Sequence, residues 1–121
     1  MRMQQSNFKP YTEKELPVGF KYPESYLKLS LGLKEINSIP YFSWWFSDAN
    51  ESLEEVTDIY YKLTGRKNLF DFARDGDWAA CFDLTDHSGN PQVFVYDLGN
   101  KQNFYVKETF DEWLHFTITN I

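Results

Sequence analysis

The strongest constraint on the fold lies in the second half of the chain, where four short segments have the composition of β-strands. Each segment is rich in β-branched or aromatic residues, and clusters of turn-forming residues separate one from the next. The segments cover residues 69–74, 79–85, 92–98 and 104–107. Connections of this length can join only antiparallel neighbours, because parallel strands require a crossover of a dozen or more residues. The sequence therefore predicts an antiparallel meander.

Three further segments carry the signals that start a helix. Pro23 occupies the first position of a short helix, where a missing N–H costs nothing. Ser52 with Glu55 forms a capping-box pattern in front of a longer amphipathic segment, and Thr109 with Glu112 repeats that pattern near the C-terminus. Together with the meander, these helices predict an α+β fold: a mainly antiparallel sheet of four to six strands, with helices packed mostly on one face.

Both faces of the predicted sheet are apolar. In the third segment of the meander, Phe94 and Tyr96 alternate with Val93 and Val95, so neither side is polar. A sheet of this kind must be covered on both faces or must offer one of them to a partner. Since the three predicted helices can cover one face, we expect the second face to be available to a partner.

The first 20 residues do not share these patterns. They are polar, show no hydrophobic period and contain Pro10, Pro17 and Gly19. We interpret residues 1–20 as an irregular tail or strap over the surface, and residues 21–121 as a single α+β domain.

The charge and the apolar pattern exclude several classes of partner. The chain has a net charge of −6, whereas nucleic-acid binders need a basic surface to neutralise phosphates. No apolar run reaches the roughly 20 residues that span a bilayer, and the N-terminal residues do not look like a signal peptide. Cys81 is the one cysteine, which excludes an internal disulfide. We expect a cytoplasmic protein that binds neither nucleic acid nor membrane.

No residue pattern indicates catalysis, a metal or a cofactor. Cys81 lies in the middle of a predicted strand, as expected of a buried, inert thiol. His87 and His115 lack the spacing of zinc ligands. The acidic run around Asp75 and Asp77 fits a turn with Gly76 better than a cation site. We therefore expect no enzyme, no metal site and no cofactor, although no pattern could exclude a carboxylate pair.

Three segments together resemble signatures of the SUKH superfamily. Residues 22–27, Tyr-Pro-Glu-Ser-Tyr-Leu, resemble its proline-led first helix. Residues 72–77 running into 81–84 are similar to its central strand–turn–strand signature, and residues 109–114 are similar to the segment that opens its last helix. The superfamily includes bacterial immunity proteins and relatives of a fungal cell-wall-synthesis regulator. The resemblance implies an α+β fold and, in many bacterial members, neutralisation of a toxin by direct binding without any reaction.

Aromatic and acidic residues supply the candidate contact surface. Trp44 and Trp45 are adjacent on a predicted strand over residues 41–46, so their side chains must point to opposite faces. Burial of both is one alternative, and use of one as a partner anchor is the other. The acids at the start of the second helix suit either the helix dipole or a basic partner. The candidate contact residues are Trp44, Trp45, Glu51, Glu54, Asp75, Asp77 and Trp78.

Two functions follow as hypotheses. The first is an immunity protein that binds a basic toxin domain through these residues. The second is a regulatory or scaffold module with a cellular protein partner, as the cell-wall-regulator relatives suggest. Homodimerisation through the uncovered sheet face or an edge strand is compatible with both.

Overall fold

The computed structural model describes residues 4–100 and 102–120, which form an α+β fold around one antiparallel sheet. Five strands lie in the order β1-β2-β3-β4-β5, each antiparallel to its neighbours. The strands are β1 Trp45–Phe46, β2 Leu69–Asp75, β3 Trp78–Asp83, β4 Val93–Asp97 and β5 Phe104–Lys107. The helices are α1 Glu24–Ser30, α2 Lys34–Asn37, α3 Leu53–Thr64 and α4 Phe110–Thr119. The predicted fold class and the meander are confirmed.

Two of the predicted helix starts are present as side-chain caps. The Ser52 hydroxyl accepts a hydrogen bond from the Glu55 N–H at 3.2 Å, and α3 ends at Gly65, whose φ of 78° suits a residue without Cβ. The Thr109 hydroxyl accepts from the Glu112 N–H at 3.1 Å and starts α4. Each cap satisfies an N–H group that the helix itself leaves without a partner.

The first face of the sheet carries an aromatic core. Phe72 stacks on Phe82 with ring centroids 4.3 Å apart and meets Trp113 of α4 edge-on at 4.9 Å. Tyr26 of α1 packs edge-on against Phe82 at 5.5 Å. Helices α1, α2 and α4 contribute buried residues to this cluster, so most of the helices pack on one face, as predicted.

The second face is covered at its centre, which corrects the expectation that it is open. Tyr60 of α3 packs with Leu69, Cys81, Phe94 and other residues of that face, and all of them are buried. The spacing of apolar residues in the sequence of α3 predicted that the helix has an apolar side. It did not predict which face of the sheet that side would contact. On this face the aromatic side chains that stay about half exposed are Trp45 and Phe104, on the edge strands β1 and β5.

The N-terminal segment contributes to the core without forming regular secondary structure. From residue 4 to residue 20 it has no helix or strand, and residues 1–3 lie outside the described residues. Phe8, Tyr11 and Phe20 are nevertheless buried in the first-face core. Phe8 stacks on Phe46 with centroids 4.8 Å apart. We call residues 4–20 the strap, because residues 5–9 run along the outer side of β1 and the loop that follows it.

The aromatic run at 41–46 forms a shorter strand than predicted. Only Trp45 and Phe46 pair with β2, opposite Arg74 and Ala73. Tyr41 adopts a left-handed backbone with φ of 63°, which is incompatible with a strand. Pairing with β2 therefore starts only after the chain has passed this bend.

Candidate functional site

Two of the four exposed aromatic side chains among the described residues lie in β1 and the segment that leads into it; the other two are Tyr61 and Phe104. Tyr41 is 88% exposed and Trp45 is 42% exposed. Trp44 lies between these two residues in the sequence. Its ring packs edge-on against the core residue Trp113, with ring centroids 5.2 Å apart. Since Trp45 pairs with Arg74 and Phe46 is fully buried, the two tryptophans lie on opposite faces, as strand alternation predicted. We call residues 41–45 the aromatic ridge.

A groove runs along one side of the aromatic ridge, with a volume of about 420 Å³. We call it the aromatic groove. It is lined by Tyr41, Phe42, Ser43, Trp44, Asp75, Trp78, Tyr105, Phe116, Thr117 and Asn120. Trp78 and Tyr105 have ring centroids 6.0 Å apart, and Tyr105 lies 5.4 Å from Phe116. Burial raises the pKa of Tyr105, an effect that the Trp113 indole partly offsets, so its hydroxyl stays protonated and can donate.

A second groove of about 380 Å³ lies on the other side of the ridge and shares Tyr41, Phe42 and Trp44 with the aromatic groove. Gln5 of the strap and Ile36 of α2 contribute to its lining. The aromatic ridge therefore stands between two concave surfaces. A partner that bound here would find protruding rings and adjacent depressions, the combination that buries anchor side chains at protein interfaces.

Side-chain hydrogen bonds hold the ridge in place on both ends of β1. The Ser43 hydroxyl donates to Asp75 at 2.6 Å, and the Ser47 hydroxyl donates to Asp71 at 2.5 Å. Between these two bonds, the side-chain amide of Gln5 donates to the Phe46 carbonyl at 2.7 Å and accepts from the Phe46 N–H at 2.8 Å. Gln5 thus occupies the outer edge of β1 in the way that another strand would, which also protects this edge from aggregation.

The structure brings four of the seven candidate contact residues to the ridge and its grooves. Trp44, Asp75 and Trp78 line the aromatic groove, and Trp45 lines the second groove. The other three lie elsewhere. Asp77 is in the exposed turn between β2 and β3, Glu51 lines a different pocket between the strap and α3, and Glu54 is on the exposed side of α3. The seven residues therefore do not line a single groove.

Most of the acidic side chains have no basic partner. Within residues 4–100 and 102–120, the one ion pair closer than 4 Å joins Lys62 to Asp58 at 3.2 Å, and both side chains are exposed. An exposed pair within one helix contributes little to stability. The carboxylates near the ridge and along α3 are thus available to attract a basic partner and to orient it.

The residues that might support chemistry are arranged as structural residues. Cys81 is fully buried, and its burial raises the pKa of the thiol well above the ordinary value, which keeps it protonated and inert. Asp71 and Asp75 lie on opposite faces of β2, because their strand partners are Cys81 and Trp78. The turn interpretation fits Gly76, whose φ is 59°, although both carboxylates bind serine hydroxyls and not local amides. No group of three metal-ligating side chains converges anywhere in the described part of the chain.

Two residues of the site escaped prediction from the sequence. Gln5 gave no signal, because a glutamine that replaces a strand partner looks like any polar residue of an irregular segment. Tyr41 could have been found from the preceding Pro40, which marks a break before the aromatic run. After this residue the chain packs inward, Phe42 against Phe46 and Trp44 against Trp113.

Among the helices that the structure describes, none is both long enough and apolar enough to cross a bilayer. No curated protein and no solved structure was found to match the chain. The family model of the SMI1 / KNR4 family (SUKH-1), in contrast, matches residues 12–115. That span includes the whole sheet, α1 to α3, the aromatic ridge and the first half of α4. The chain belongs to the SMI1 / KNR4 family (SUKH-1).

Proposed function

We propose that this protein is a non-enzymatic binding domain, and that it acts as an immunity protein that neutralises a toxic effector by direct contact. The observation that carries the proposal is the aromatic ridge, which exposes Tyr41 and Trp45 between two grooves on a chain of net charge −6. Membership of the SUKH-1 family agrees with such a role.

The partner that fits this surface is a protein with a basic face. Trp45 and Tyr41 supply large rings that lose little side-chain entropy on binding. The carboxylates without ion-pair partners, among them Glu51 and Glu54, raise the encounter rate with a basic protein. A basic toxin domain meets both requirements.

A regulatory or scaffold module with a cellular protein partner is the second candidate function. The same ridge and grooves suit this role equally well. They determine what kind of surface binds, and not whether binding neutralises a toxin or regulates a cellular protein. The family description includes SMI1 and KNR4, which is the observation in favour of this candidate. A second copy of the chain is a further candidate partner, and the free edge strand β5 is where it would pair.

The test begins by identifying the partner and then measures its affinity. A tagged chain is used to capture partners from the source cells at low and at high salt, and the partner is purified for calorimetry. We expect Trp45→Ala to weaken binding by more than about 1 kcal/mol and the paired Glu51→Lys/Glu54→Lys variant to do the same. Phe104→Ala is the matched control for the aromatic change, since Phe104 is 50% exposed on the opposite edge of the sheet. Glu24→Lys/Asp111→Lys is the matched control for the paired charge change, since it alters the net charge by the same amount at positions on α1 and α4.

Full-strength binding by both test variants would refute this placement of the interface. Expression of the partner alone then separates the two functions. A partner that arrests growth and is neutralised by co-expression of this chain supports the immunity function. A harmless partner supports the regulatory or scaffold function.

A further inference from the structure

A separate pocket of about 330 Å³ lies between the strap, the loop that follows β1, helix α3 and strand β2. We call it the tyrosine pocket, because four tyrosines from four parts of the chain contribute to it. Its lining is Lys9, Pro10, Tyr11, Tyr22, Tyr26, Ser47, Asp48, Ala49, Asn50, Glu51, Val56, Ile59, Tyr60, Asp71 and Arg74. The size is within the range of pockets that bind small ligands or a single inserted side chain.

Tyr26 contributes a hydroxyl group that has no hydrogen-bond partner among the described residues. The side chain is 2% exposed, and its ring stacks on Tyr22 with centroids 4.7 Å apart. Its hydroxyl makes no hydrogen bond within the described residues, although the residue lines the tyrosine pocket. Among the described residues, the buried side-chain polar atom without a hydrogen-bond partner is Trp113 Nε1, so the Tyr26 hydroxyl oxygen is not enclosed in the core but open to the pocket. It is therefore available to a group that enters the pocket.

The carboxylates near this hydroxyl have no ion-pair partner among the described residues. Asp71 accepts a hydrogen bond from Ser47, and no cationic group among the described residues lies within 4 Å of it. Burial is the main cause that raises the pKa of Tyr26, and nearby negative charges, including those of Asp71 and Asp48, raise it further. Glu51 adds a further negative charge beside Tyr11.

Two basic residues, Lys9 and Arg74, line the pocket, and neither forms an ion pair with Asp71. Arg74 donates to the carbonyl oxygens of Trp78 and Gly76 at 3.2 and 3.0 Å, and to the Tyr60 hydroxyl at 3.5 Å. It does not pair with Asp71. The side of the pocket formed by Tyr11, Tyr22 and Tyr26 consequently has acceptor oxygens and aromatic rings around a partly buried carboxylate.

We propose that the tyrosine pocket receives the guanidinium group of an arginine side chain from the protein partner. A guanidinium group is planar, presents several N–H donors to carboxylate and hydroxyl oxygens, and stacks favourably on tyrosine rings. A metal ion is a poorer match, because no three metal-ligating side chains converge within the described residues. That the arginine belongs to a protein partner depends on the proposed function. That the pocket binds a guanidinium group does not.

The experiment titrates the whole protein with small probes and follows backbone amide resonances by NMR. N-acetylarginine amide is the probe, N-acetylcitrulline amide is its uncharged isostere, and agmatine represents a free cation. We expect N-acetylarginine amide to shift resonances of residues 9–11, 47–51 and 71–74, and the citrulline probe to leave them in place. Asp71→Asn should weaken binding by about tenfold or more, because it removes the charge-assisted hydrogen bond.

Tyr26→Phe and Asp75→Asn complete the set of variants. Tyr26→Phe removes only the hydroxyl group and no protein hydrogen bond, so it should weaken binding by about threefold in a stably folded protein. Asp75→Asn is the matched control, since Asp75 also accepts from a serine hydroxyl but lines the aromatic groove. It should bind the probe normally.

Equal shifts from the arginine and citrulline probes would overturn the proposal, and so would equal losses in Asp71→Asn and Asp75→Asn. Binding of agmatine without N-acetylarginine amide would overturn the assignment to a partner side chain. Normal partner binding by Asp71→Asn, together with weakened binding by Trp45→Ala, would reject this inference and leave the proposed function intact.

Discussion

Gln5 should stabilise the fold more than any other polar residue of the strap. Its side-chain amide makes two hydrogen bonds with the main chain of Phe46, at 2.7 and 2.8 Å, and Phe46 is fully buried. Each hydrogen bond contributes about 0.5–1.5 kcal/mol net, and a buried group left without a partner costs about 1–3 kcal/mol. We expect Gln5→Ala to lower the free energy of unfolding by about 2–3 kcal/mol.

Gln4→Ala is the matched control for this change. Gln4 has the same side chain one position earlier, but its one hydrogen bond, to the Asn37 carbonyl, is 3.4 Å long and exposed. Its loss should cost less than about 0.5 kcal/mol. Because both variants lose the same atoms from the same segment, the difference between them isolates the contacts with β1.

Urea unfolding followed by tryptophan fluorescence measures the difference. With a slope of about 1–3 kcal/mol per molar urea, Gln5→Ala should lower the midpoint by roughly 1 M without changing the slope. A free energy of unfolding for Gln5→Ala that equals that of Gln4→Ala would show that Gln5 holds neither β1 nor the aromatic ridge in place.

Two further predictions follow from the described contacts. Burial raises the pKa of Tyr22, Tyr26 and Tyr60, so the folded protein should keep these three protonated when the pH rises above about 10, the ordinary tyrosine pKa. Above that pH the free energy of unfolding should fall by about 1.4 kcal/mol per pH unit for each of these tyrosines, since the unfolded chain releases protons that the folded chain retains. Absorbance at 295 nm measures the ionisation of tyrosine. If it showed all tyrosines of the folded protein ionising together near pH 10, it would contradict this prediction. Ser52→Ala and Thr109→Ala should each lower the free energy of unfolding by about 1 kcal/mol, whereas Ser52→Asp should retain the cap. Equal stability of Ser52→Ala and Ser52→Asp would argue against the cap.

The parts of the fold that were predicted depend on short-range patterns. Strands β2 to β5 and the starts of α3 and α4 were indicated by residues within a few positions of one another, since alternation, caps and turns are local. The opposite orientation of Trp44 and Trp45 followed in the same way from strand alternation. Each of these features needed no knowledge of what lay elsewhere in the chain.

The parts that were missed depend on long-range packing. The apolar side of α3 was predicted, but its contact with the second face is decided by the path of the chain through residues 47–52. The same path places Glu51 beside Tyr11, whose hydroxyl donates to the Glu51 carbonyl at 2.8 Å, and not beside Trp45. Gln5 and Phe46 are 41 residues apart, so no local pattern could have paired them.

The two edges of the sheet differ in a way that limits how partners can bind. At β1 the Phe46 N–H and carbonyl are both taken by Gln5, so an added strand finds no free main-chain partner at that residue. A partner at the aromatic ridge must therefore bind through side chains, which is the mode in which exposed tryptophan and tyrosine contribute most. Among the described residues, no further strand pairs with the edge strand β5, so strand addition remains open there. The ridge and β5 are at opposite edges of the sheet, although Tyr105 of β5 lines the aromatic groove. A second copy paired at β5 would therefore leave Tyr41 and Trp45 accessible to a different partner but would lie close to the far end of that groove.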